Sequence, residues 1–500
     1  MKLRIKLITS ILFIGSGVVP ILCNTSCSSN ELLQDYTNNP EAVGFDSAKL
    51  NSLSDYIQNR IDTEVNGTTS RCYGFPSLQM CVVKDKKVVY DRAFGQSLKY
   101  DQGNPDATSW SELVAEGKYG QLLPADKQIQ ANRNTLYDLA SNTKMYASML
   151  AIQNLLYRKK IGSLDDKLSK YISKFHKTQT NVPNGETGQV ETVHWENITI
   201  RQILCHEAGF TPTPSIFVDT TPDSRPLRDP DKALDYILDY LNLEAVPGTR
   251  QKYSDVDFML VAILVKEITG MYIDKYCYQY IYNPLGLKHT TFNPLTHGFK
   301  KQDCAATELR GNTREFQVKT QAGIRPTTIQ GEVHDEVAYY VMKGVSGHAG
   351  LFSTASDLSV LMNLMLYRGE LGNCKMFDSP IYNDVTQPRP NPEDPNDYEF
   401  ATGWKTNFGD DNHYFLGTRS PKEAFGHDGW TGTFTLIDPV NNLTICILTN
   451  AIHTILYDHD SHGNLFFGKQ YYFLYDGQKT FAGSRIGQVL CDLIYEAFNH

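Results

Sequence analysis

Hydrophobic and polar residues alternate along this chain in patterns that predict strands near both of its ends. Apolar residues recur at helical spacing over 46–61, and two strand patterns follow at 77–83 and 87–95. The C-terminal part shows the same two kinds of pattern. Its strand patterns cover 423–427, 431–437 and 443–448, and its helical pattern covers 484–498.

The middle of the chain shows helical spacing instead. The helices predicted there cover 203–206, 231–243, 255–269, 272–282, 334–342 and 355–367. Because strands from both ends can complete one sheet, we expect an α/β fold of the α+β type, with a central antiparallel sheet flanked by helices and a second, all-helical lobe. The α/β lobe would comprise about 44–135 and 400–500, and the helical lobe about 141–395. A cleft between two such lobes is a natural place for a functional site.

The N-terminal residues have the composition of an export signal. A short basic stretch at 1–6 precedes the apolar residues 7–22, and small residues follow before Cys27. Ser26-Cys27 resembles the end of a bacterial lipoprotein signal, in which cleavage leaves the cysteine as the lipid-bearing first residue. We therefore expect a signal peptide at 1–26, a lipid anchor and tether at 27–43, and one folded domain at 44–500. The mature protein would be held to a membrane in the periplasm. Ordinary secretion with cleavage nearby is the alternative.

Composition narrows the class of protein further. The 500 residues carry a formal net charge of −9, and the expected signal contains basic residues but no acidic ones. An acidic surface of this kind argues against nucleic acid as a partner. No later stretch is apolar over a length that would cross a bilayer, and a hydrophobic content of 41% is sufficient for a large core.

The cysteines and histidines do not predict a metal site. Ten cysteines are spread along the chain without a Cys-x-x-Cys pair. Cys72 and Cys81 are close enough in sequence to be a candidate disulfide. His459 and His462 lie together in a polar stretch, but the sequence places no third ligand beside them. We expect neither a metal nor another cofactor.

The candidate nucleophile is a serine that precedes the apolar stretch 146–156. Ser141 and Lys144 would lie on one face at the start of a helix. Serine is a weak acid that needs a proton acceptor, and a lysine partly removed from water has a lowered pKa and can act as one. The alternative is an N-cap serine beside a solvated lysine. A second serine, Ser346, lacks the glycine spacing of a nucleophile elbow, and we expect a structural role for it.

Two further stretches contain groups that such a pair needs. Tyr253 lies just before the helix predicted at 255–269, where its hydroxyl could share a proton with a serine and a lysine. The stretch 426–433 contains His427 among glycines that let backbone N–H groups approach a ligand. The alternative for Tyr253 is a tyrosine packed in the core. The alternative for 426–433 is a bulged strand with a structural histidine.

Together these stretches resemble one known family. Ser141-x-x-Lys144, Tyr253-Ser-Asp255 and His427-Asp-Gly429 follow the order of the three motifs of the serine β-lactamase and penicillin-binding-protein superfamily, in its class C-like branch. The resemblance extends from about residue 44 to the C-terminus and includes 284–290, 306–314 and 344–353. It implies a β-lactamase/transpeptidase-like fold.

The resemblance also implies a role for each matching residue. Ser141 would be the acylated nucleophile, Lys144 its base, and Tyr253 the shuttle that carries a proton to the leaving group. His427 stands where many relatives have a lysine, and it would orient the tyrosine or a substrate carboxylate.

Substrate binding would involve Asp255, Gly429 and Trp430. The backbone N–H groups of Ser141 and Trp430 would form the oxyanion hole. Asp255 stands where an asparagine is usual, and its carboxylate would pair with Lys144, raise the pKa of that lysine and slow catalysis.

The function implied is that of a serine hydrolase of the cell envelope that works through an acyl-enzyme. Its substrate would be a peptidoglycan-derived peptide or another acyl compound, and its activity would be that of a D-alanyl-D-alanine carboxypeptidase-like, penicillin-binding enzyme. The alternatives are a carboxylesterase or β-lactamase with the same site, and a catalytically weak binding or sensor lipoprotein.

Overall fold

The main sheet is made from both ends of the chain. The computed structural model describes residues 32–61, 75–101, 118–214, 229–309, 325, 327–408, 415–454 and 485–498, together with four two-residue strands between 456 and 479. The strands of the main sheet are β1 Gln34–Asp35, β2 Ser77–Lys84, β3 Lys87–Leu98, β4 Ile129–Gln130, β5 Lys405–Thr406, β6 Phe425–Asp428, β7 Phe434–Asp438 and β8 Leu443–Thr449.

These strands lie in the order β1-β3-β2-β8-β7-β6-β5, and β4 pairs with β3. The two ends of the chain meet where β2 pairs with β8, with Leu78 opposite Thr449 and Cys81 opposite Cys446. The pairing is antiparallel throughout except between β1 and β3. The prediction of a central antiparallel sheet built from distant strands is therefore confirmed, with one parallel edge strand added.

Helices cover both faces of this sheet. The α-helices are α1 Ser47–Ile61, α2 Leu150–Tyr157, α3 Ile200–Leu204, α4 Ala233–Tyr240, α5 Asp255–Thr269, α6 Ile273–Cys277, α7 Ala355–Leu366, α8 Ser379–Thr386 and α9 Arg485–Ala497. Alternate side chains of β8 point to opposite faces. Ile445 and Ile447 pack with residues of α1 and α9, whereas Cys446 and Leu448 pack with residues of the central helices. Because neither face is open to solvent, every residue of β8 is buried.

Residues 32–43, which the sequence analysis assigned to a tether, pack instead against the folded body. Leu32 and Leu33 are buried, and β1 pairs with β3 through Gln34 and Asp35. A short 3-10 helix at Pro40–Val43 then leads into α1. The folded domain therefore includes residues 32–43, whereas the sequence predicted that it begins at residue 44. Two adjacent apolar residues in a polar segment give no periodic signal, which is why the sequence did not reveal this contact.

The central region was predicted to be all-helical. It is mainly helical, but it also contains strands. The strand Thr178–Pro183 pairs with Val190–His194 in a largely exposed hairpin, whose polar residues carry no clear hydrophobic alternation. The predicted helices at 272–282 and 334–342 are partly π-helical. The π-helical turns are Lys144–Met149, Tyr278–Tyr282 and Val337–Val341, and the remaining 3-10 turns are Leu168–Lys170, Trp195–Asn197, Pro230–Lys232, Pro294–Thr296 and Lys301–Asp303.

Several small sheets complete the described structure. One has three strands, Thr291–Phe292, Leu351–Ser353 and Tyr137–Asp138, and it leads directly into the candidate nucleophile. The others pair Ala306–Glu308 with Ile329–Gln330, Glu370–Leu371 with Cys374–Lys375, Tyr100–Asp101 with Gln121–Leu122, Leu456–Tyr457 with both Lys118–Tyr119 and Phe466–Phe467, and Leu474–Tyr475 with Gln478–Lys479.

The described cysteines are buried free thiols. Cys81, half of the candidate disulfide, is one of them, and Cys72 lies outside the described residues. Burial raises the pKa of the Cys81 thiol, so the group stays protonated. Among the helices in the described ranges, none has both the length and the apolar character needed to span a bilayer.

We expect the contact between the sheet and the terminal helices to contribute strongly to stability. Ile57 in α1 is 0% exposed within the cluster that joins α1, α9 and the sheet. Ile57→Ala should lower the free energy of unfolding by about 2–4 kcal/mol, because it removes buried methyl groups and leaves a cavity. The measurement is the midpoint of urea unfolding. Asp55→Ala, an exposed change in the same helix, should shift the free energy by less than about 0.5 kcal/mol; equal shifts for both variants would contradict this packing.

Candidate active site

Ser141 lies in a turn between a short strand and a helix. The strand Tyr137–Asp138 ends at a backbone turn in which Ala140 has a φ of 46°, in the left-handed region. The carboxylate of Asp138 accepts a hydrogen bond from the N–H of Ala140 at 2.9 Å and holds this strained conformation. The π-helical turn that begins at Lys144 follows immediately. Ser141 is therefore placed by a constrained backbone rather than by a regular helical turn.

Lys144 is fully buried, and its ammonium group is surrounded by oxygen atoms. Its Nζ donates to Ser141 Oγ at 3.1 Å, to Asp255 Oδ1 at 2.9 Å and to the carbonyl oxygen of His348 at 3.3 Å. Burial alone would lower the pKa of Lys144, but the Asp255 carboxylate and the neighbouring Tyr253 outweigh it and hold that pKa above its usual value. Lys144 is therefore a cation at neutral pH in this arrangement.

Tyr253 and Asp255 are placed by the start of α5. Ser254 is the N-cap of this helix, and its hydroxyl accepts the N–H of Val256 at 3.2 Å. The ring of Tyr253 lies beneath the Lys144 ammonium, 4.6 Å from Nζ to the ring centroid. Burial raises the pKa of Tyr253, although Lys144 and the hydrogen bonds to Lys144 and Ser141 oppose that rise. The phenol is therefore neutral and can pass a proton on.

His427 lies on β6, with its ring centroid 6.3 Å from that of Tyr253. Its side chain is buried, and Nδ1 lies 2.7 Å from the carbonyl oxygen of Asp428, to which it donates. Burial lowers the pKa of His427 to about 3, and the nearby cations Lys405 and Lys144 add to this effect. Nε2 has no hydrogen-bond partner among the described residues. A neutral, buried imidazole beside Tyr253 fits the expected role in orienting the tyrosine better than that of attracting a carboxylate.

Gly429 allows the turn after β6 to approach the nucleophile. A Cβ at this position would lie 2.4 Å from the carbonyl oxygen of Leu139 and 3.2 Å from the Cβ of Ala140. The hydroxyl of Thr431 donates to the carbonyl of Asp138 at 2.7 Å, and that of Thr433 donates to the carbonyl of Leu139 at 2.9 Å. The turn between β6 and β7 is thus fixed to the turn that carries the serine.

Asn142 adds a side-chain link between the same two segments. Its Nδ2 donates to Thr433 Oγ1 at 3.0 Å, and its Oδ1 accepts the hydroxyl of Thr435 at 3.1 Å. Asn142 is 0% exposed, so an amide atom without a hydrogen bond would lower the stability of the fold, and both amide atoms are bonded.

A cavity of about 300 Å³ opens over Ser141 and Tyr253. Trp430, which is 41% exposed, stands at its edge. Lys144 does not line this cavity, but Ser141 and Tyr253, which do, both contact it. The described residues that line the cavity are Ser141, Gln251, Tyr253, Asn391, Glu399, Phe400, Lys405, Asp428 and Trp430.

Six of these lining residues had no site role predicted from the sequence, namely Gln251, Asn391, Glu399, Phe400, Lys405 and Asp428. Gln251 lies two residues before Tyr253 and Asp428 lies within the third motif, so nearness to a motif was the signal available for these two. The other four come from 391–405, a stretch without hydrophobic periodicity.

A second polar network lies behind Lys144. Ser346 Oγ and His348 Nδ1 are 2.8 Å apart, and His348 Nε2 and Asp335 Oδ1 are 2.9 Å apart. Ser346 is 0% exposed and does not line the cavity, which agrees with the structural role expected for it.

Three side chains in and beside this network are of the types that bind metal ions, and they lie close together in the described structure. Asp255, Asp335 and His348 place ligand atoms within 4.8 Å of one another. The Lys144 ammonium is already hydrogen-bonded to Asp255, and His348 is bonded to Asp335. These possible metal ligands are therefore already hydrogen-bonded, Asp255 to Lys144 and His348 to Asp335.

The structure thus brings Ser141, Lys144, Tyr253 and Asp255 into direct contact and places His427, Gly429 and Trp430 around them. Cys27, His459 and His462 lie outside the described residues.

Comparison with known proteins finds a family and relatives that this chain resembles over most of its length. A family model described as Beta-lactamase matches residues 55–463. A protein of Salmonella schwarzengrund, named as a proposed D-alanyl-D-alanine carboxypeptidase, is 40% identical over 430 residues, which are 86% of this chain and 89% of that protein. A protein of Escherichia coli with the same name is 36% identical over 451 residues, covering 90% of this chain and 93% of its own length.

Among solved structures, the fold is similar to that of an octameric penicillin-binding protein homologue from Pyrococcus abyssi. The TM-score is 0.51 at 18% sequence identity, over 81% of this chain and 74% of that chain. This likeness concerns the fold.

The pairing of Lys144 with Asp255 predicts a pH effect. Asp255→Asn removes the carboxylate that raises the pKa of Lys144, so that pKa should fall and the free amine should appear at lower pH. If Lys144 is the base, the acidic limb of kcat/KM should move down by about one pH unit or more. The measurement is the pH profile of phenyl ester hydrolysis.

The matched control for this experiment is Asp257→Asn in the same helix. Burial raises the pKa of Asp257 well above its usual value and so favours the neutral carboxyl, and its replacement should alter the charge around Lys144 less than that of Asp255 does. Its profile should stay where the wild-type profile lies. Loss of activity at every pH in Asp255→Asn would contradict the prediction and assign proton acceptance to Asp255 itself.

Proposed function

Because this chain belongs to the Beta-lactamase family and is a serine hydrolase, we propose that it is a D-alanyl-D-alanine carboxypeptidase-like enzyme that forms an acyl-enzyme on Ser141. The observation that carries the proposal is the 3.1 Å contact between Ser141 Oγ and Lys144 Nζ, with Ser141 on the wall of the cavity and Lys144 sealed behind it. A nucleophile that is open to substrate and a lysine shielded from water form the pair that acyl transfer needs.

In the proposed reaction, Ser141 Oγ attacks the carbonyl carbon of the substrate amide and its proton leaves through Lys144. Lys144 is a cation at rest because the Asp255 carboxylate at 2.9 Å stabilises its charge, so the base is the fraction of Lys144 that has lost its proton, which grows as the pH rises. Tyr253 then donates a proton to the leaving amine as the C–N bond breaks. Lys144 passes the serine proton to Tyr253 and so restores the phenol. Water then hydrolyses the ester: its oxygen bonds to the acyl carbon as the bond to Ser141 Oγ breaks, and its proton returns to Ser141 Oγ.

The oxyanion of the tetrahedral intermediate would be stabilised by the backbone N–H groups of Ser141 and Trp430. Support for this assignment comes from the position of both residues on the cavity wall. The close approach of Gly429 to Leu139 and the threonine hydrogen bonds fix the distance between the two backbones.

The homologues named as proposed D-alanyl-D-alanine carboxypeptidases favour a peptide from peptidoglycan as the substrate. The cavity of about 300 Å³ admits a short peptide end rather than a folded protein.

Labelling with a fluorescent penicillin or a fluorophosphonate tests the nucleophile. Ser141→Ala should abolish labelling, because it removes the hydroxyl that the probe acylates, whereas Ser346→Ala should keep it, because Ser346 does not line the cavity. Gel fluorescence after a fixed time is the measurement. Labelling of Ser141→Ala at the wild-type level would show that the nucleophile is elsewhere, and the absence of labelling in the wild type would favour a binding or sensor protein.

The substrate class is tested by comparing release of D-alanine from an N-acyl-D-alanyl-D-alanine peptide with hydrolysis of p-nitrophenyl acetate. Rapid ester cleavage without release of D-alanine would favour the carboxylesterase alternative, and rapid opening of a penicillin ring would favour a β-lactamase.

We further propose that the enzyme works in the cell envelope, in the periplasm, with a lipid on Cys27. The support is the sequence alone: a basic stretch, an apolar stretch and Ser26-Cys27. Cells grown with labelled palmitate should incorporate label into the wild type and not into Cys27→Ala, while Cys23→Ala should remain labelled. Label retained in Cys27→Ala would contradict the assignment.

A further inference from the structure

The third motif of the site provides no positive charge to the cavity. His427 is neutral at pH 7 because burial lowers its pKa to about 3, and its side chain does not line the cavity. Lys144 is 0% exposed and paired with Asp255. A substrate that ends in a carboxylate therefore meets neither of these groups as a free cation.

Lys405 lies on the strand beside the third motif. β5 pairs with β6 so that Lys405 is directly opposite Gly426, the residue before His427. Its side chain is 17% exposed and lines the cavity with Ser141, Tyr253 and Trp430. Among the described residues that line the cavity, Lys405 is the one with a positive charge.

The Lys405 ammonium group is held by its neighbours but is not saturated by them. Nζ lies 3.2 Å from Asp428 Oδ1 and 3.9 Å from Glu399 Oε1, and the second distance is too long for a hydrogen bond. The ring of Phe415 lies 4.5 Å from Nζ and shields one side of it. An ammonium group has three N–H donors, and the carboxylates of the described residues engage one of them.

We propose that Lys405 binds the terminal carboxylate of the substrate and so determines that the enzyme prefers acyl compounds whose leaving group carries a negative charge. This proposal rests on the proposed function and adds to it a specificity-determining residue that none of the three motifs contains. Asp428 and Glu399 position the lysine and keep it charged, and the substrate carboxylate takes a remaining donor. A charge-assisted hydrogen bond of this kind raises kcat/KM about ten- to hundredfold.

Two esters with the same acyl group test the proposal without requiring amide hydrolysis. One has 3-hydroxybenzoate as the leaving group and carries a carboxylate, and the other has phenol and is neutral. The wild type should prefer the 3-carboxyphenyl ester by about tenfold or more in kcat/KM, mainly through a lower KM. Lys405→Met should lose this preference, so that the ratio of its kcat/KM values for the two esters falls to about one.

Two further variants separate binding from structural damage. Lys405→Arg keeps the charge and should retain most of the preference, and Lys422→Met removes an exposed lysine elsewhere and should retain all of it. The proposal is overturned if the wild type does not discriminate between the esters, if Lys405→Met still discriminates, or if Lys405→Met loses activity equally on both. Failure to release D-alanine from a peptide while the ester preference holds would reject the carboxypeptidase function alone.

Discussion

The buried ammonium group of Lys144 is the constraint on which the site depends. A cation withdrawn from water costs several kcal/mol unless oxygen atoms surround it, so the chain must bring three segments together around this one atom. The nucleophile turn provides Ser141, the start of α5 provides Asp255, and the backbone near the end of the central region provides the carbonyl of His348. The same contacts that make the burial possible also place the serine beside a potential base.

Charge in the cleft is divided between two lysines with different surroundings. Lys144 is sealed and paired with one carboxylate, and Lys405 faces the cavity with two carboxylates nearby. His427 is neutral because burial and the positive charges of both lysines disfavour a third positive charge. A site with a lysine in its third motif has its positive charge there, whereas here the third motif has a neutral histidine and a lysine on the next strand carries the charge.

Much of the fold and of the site was predictable from the sequence. The alternation in β2 and β8 and the helical spacing of α1 and α9 indicated the sheet and its outer helices, and the order of the three motifs indicated Ser141, Lys144 and Tyr253, which the structure places in contact. Lys405, Glu399 and Asn391 were not predictable, because a two-residue strand and an irregular loop leave no periodic pattern. Their position follows from which strand lies beside β6, and that information is in the tertiary structure. The contact of Leu32 and Leu33 with the body was missed for the same reason.

The threonine hydrogen bonds between 431–435 and 138–142 have a consequence for biogenesis. The turn that carries Ser141 is completed by hydroxyl groups that are synthesised far later in the chain, and β2 finds its partner β8 later still. Contacts between distant segments form slowly, because the entropy of closing a long loop is lost before they are gained. The turn that carries Ser141 therefore lacks these hydrogen bonds until residues 431–435 have been synthesised, and α9 is the last of the described helices to be made. Truncation near the C-terminus would remove activity even though every residue that acts on the acyl group lies upstream of it.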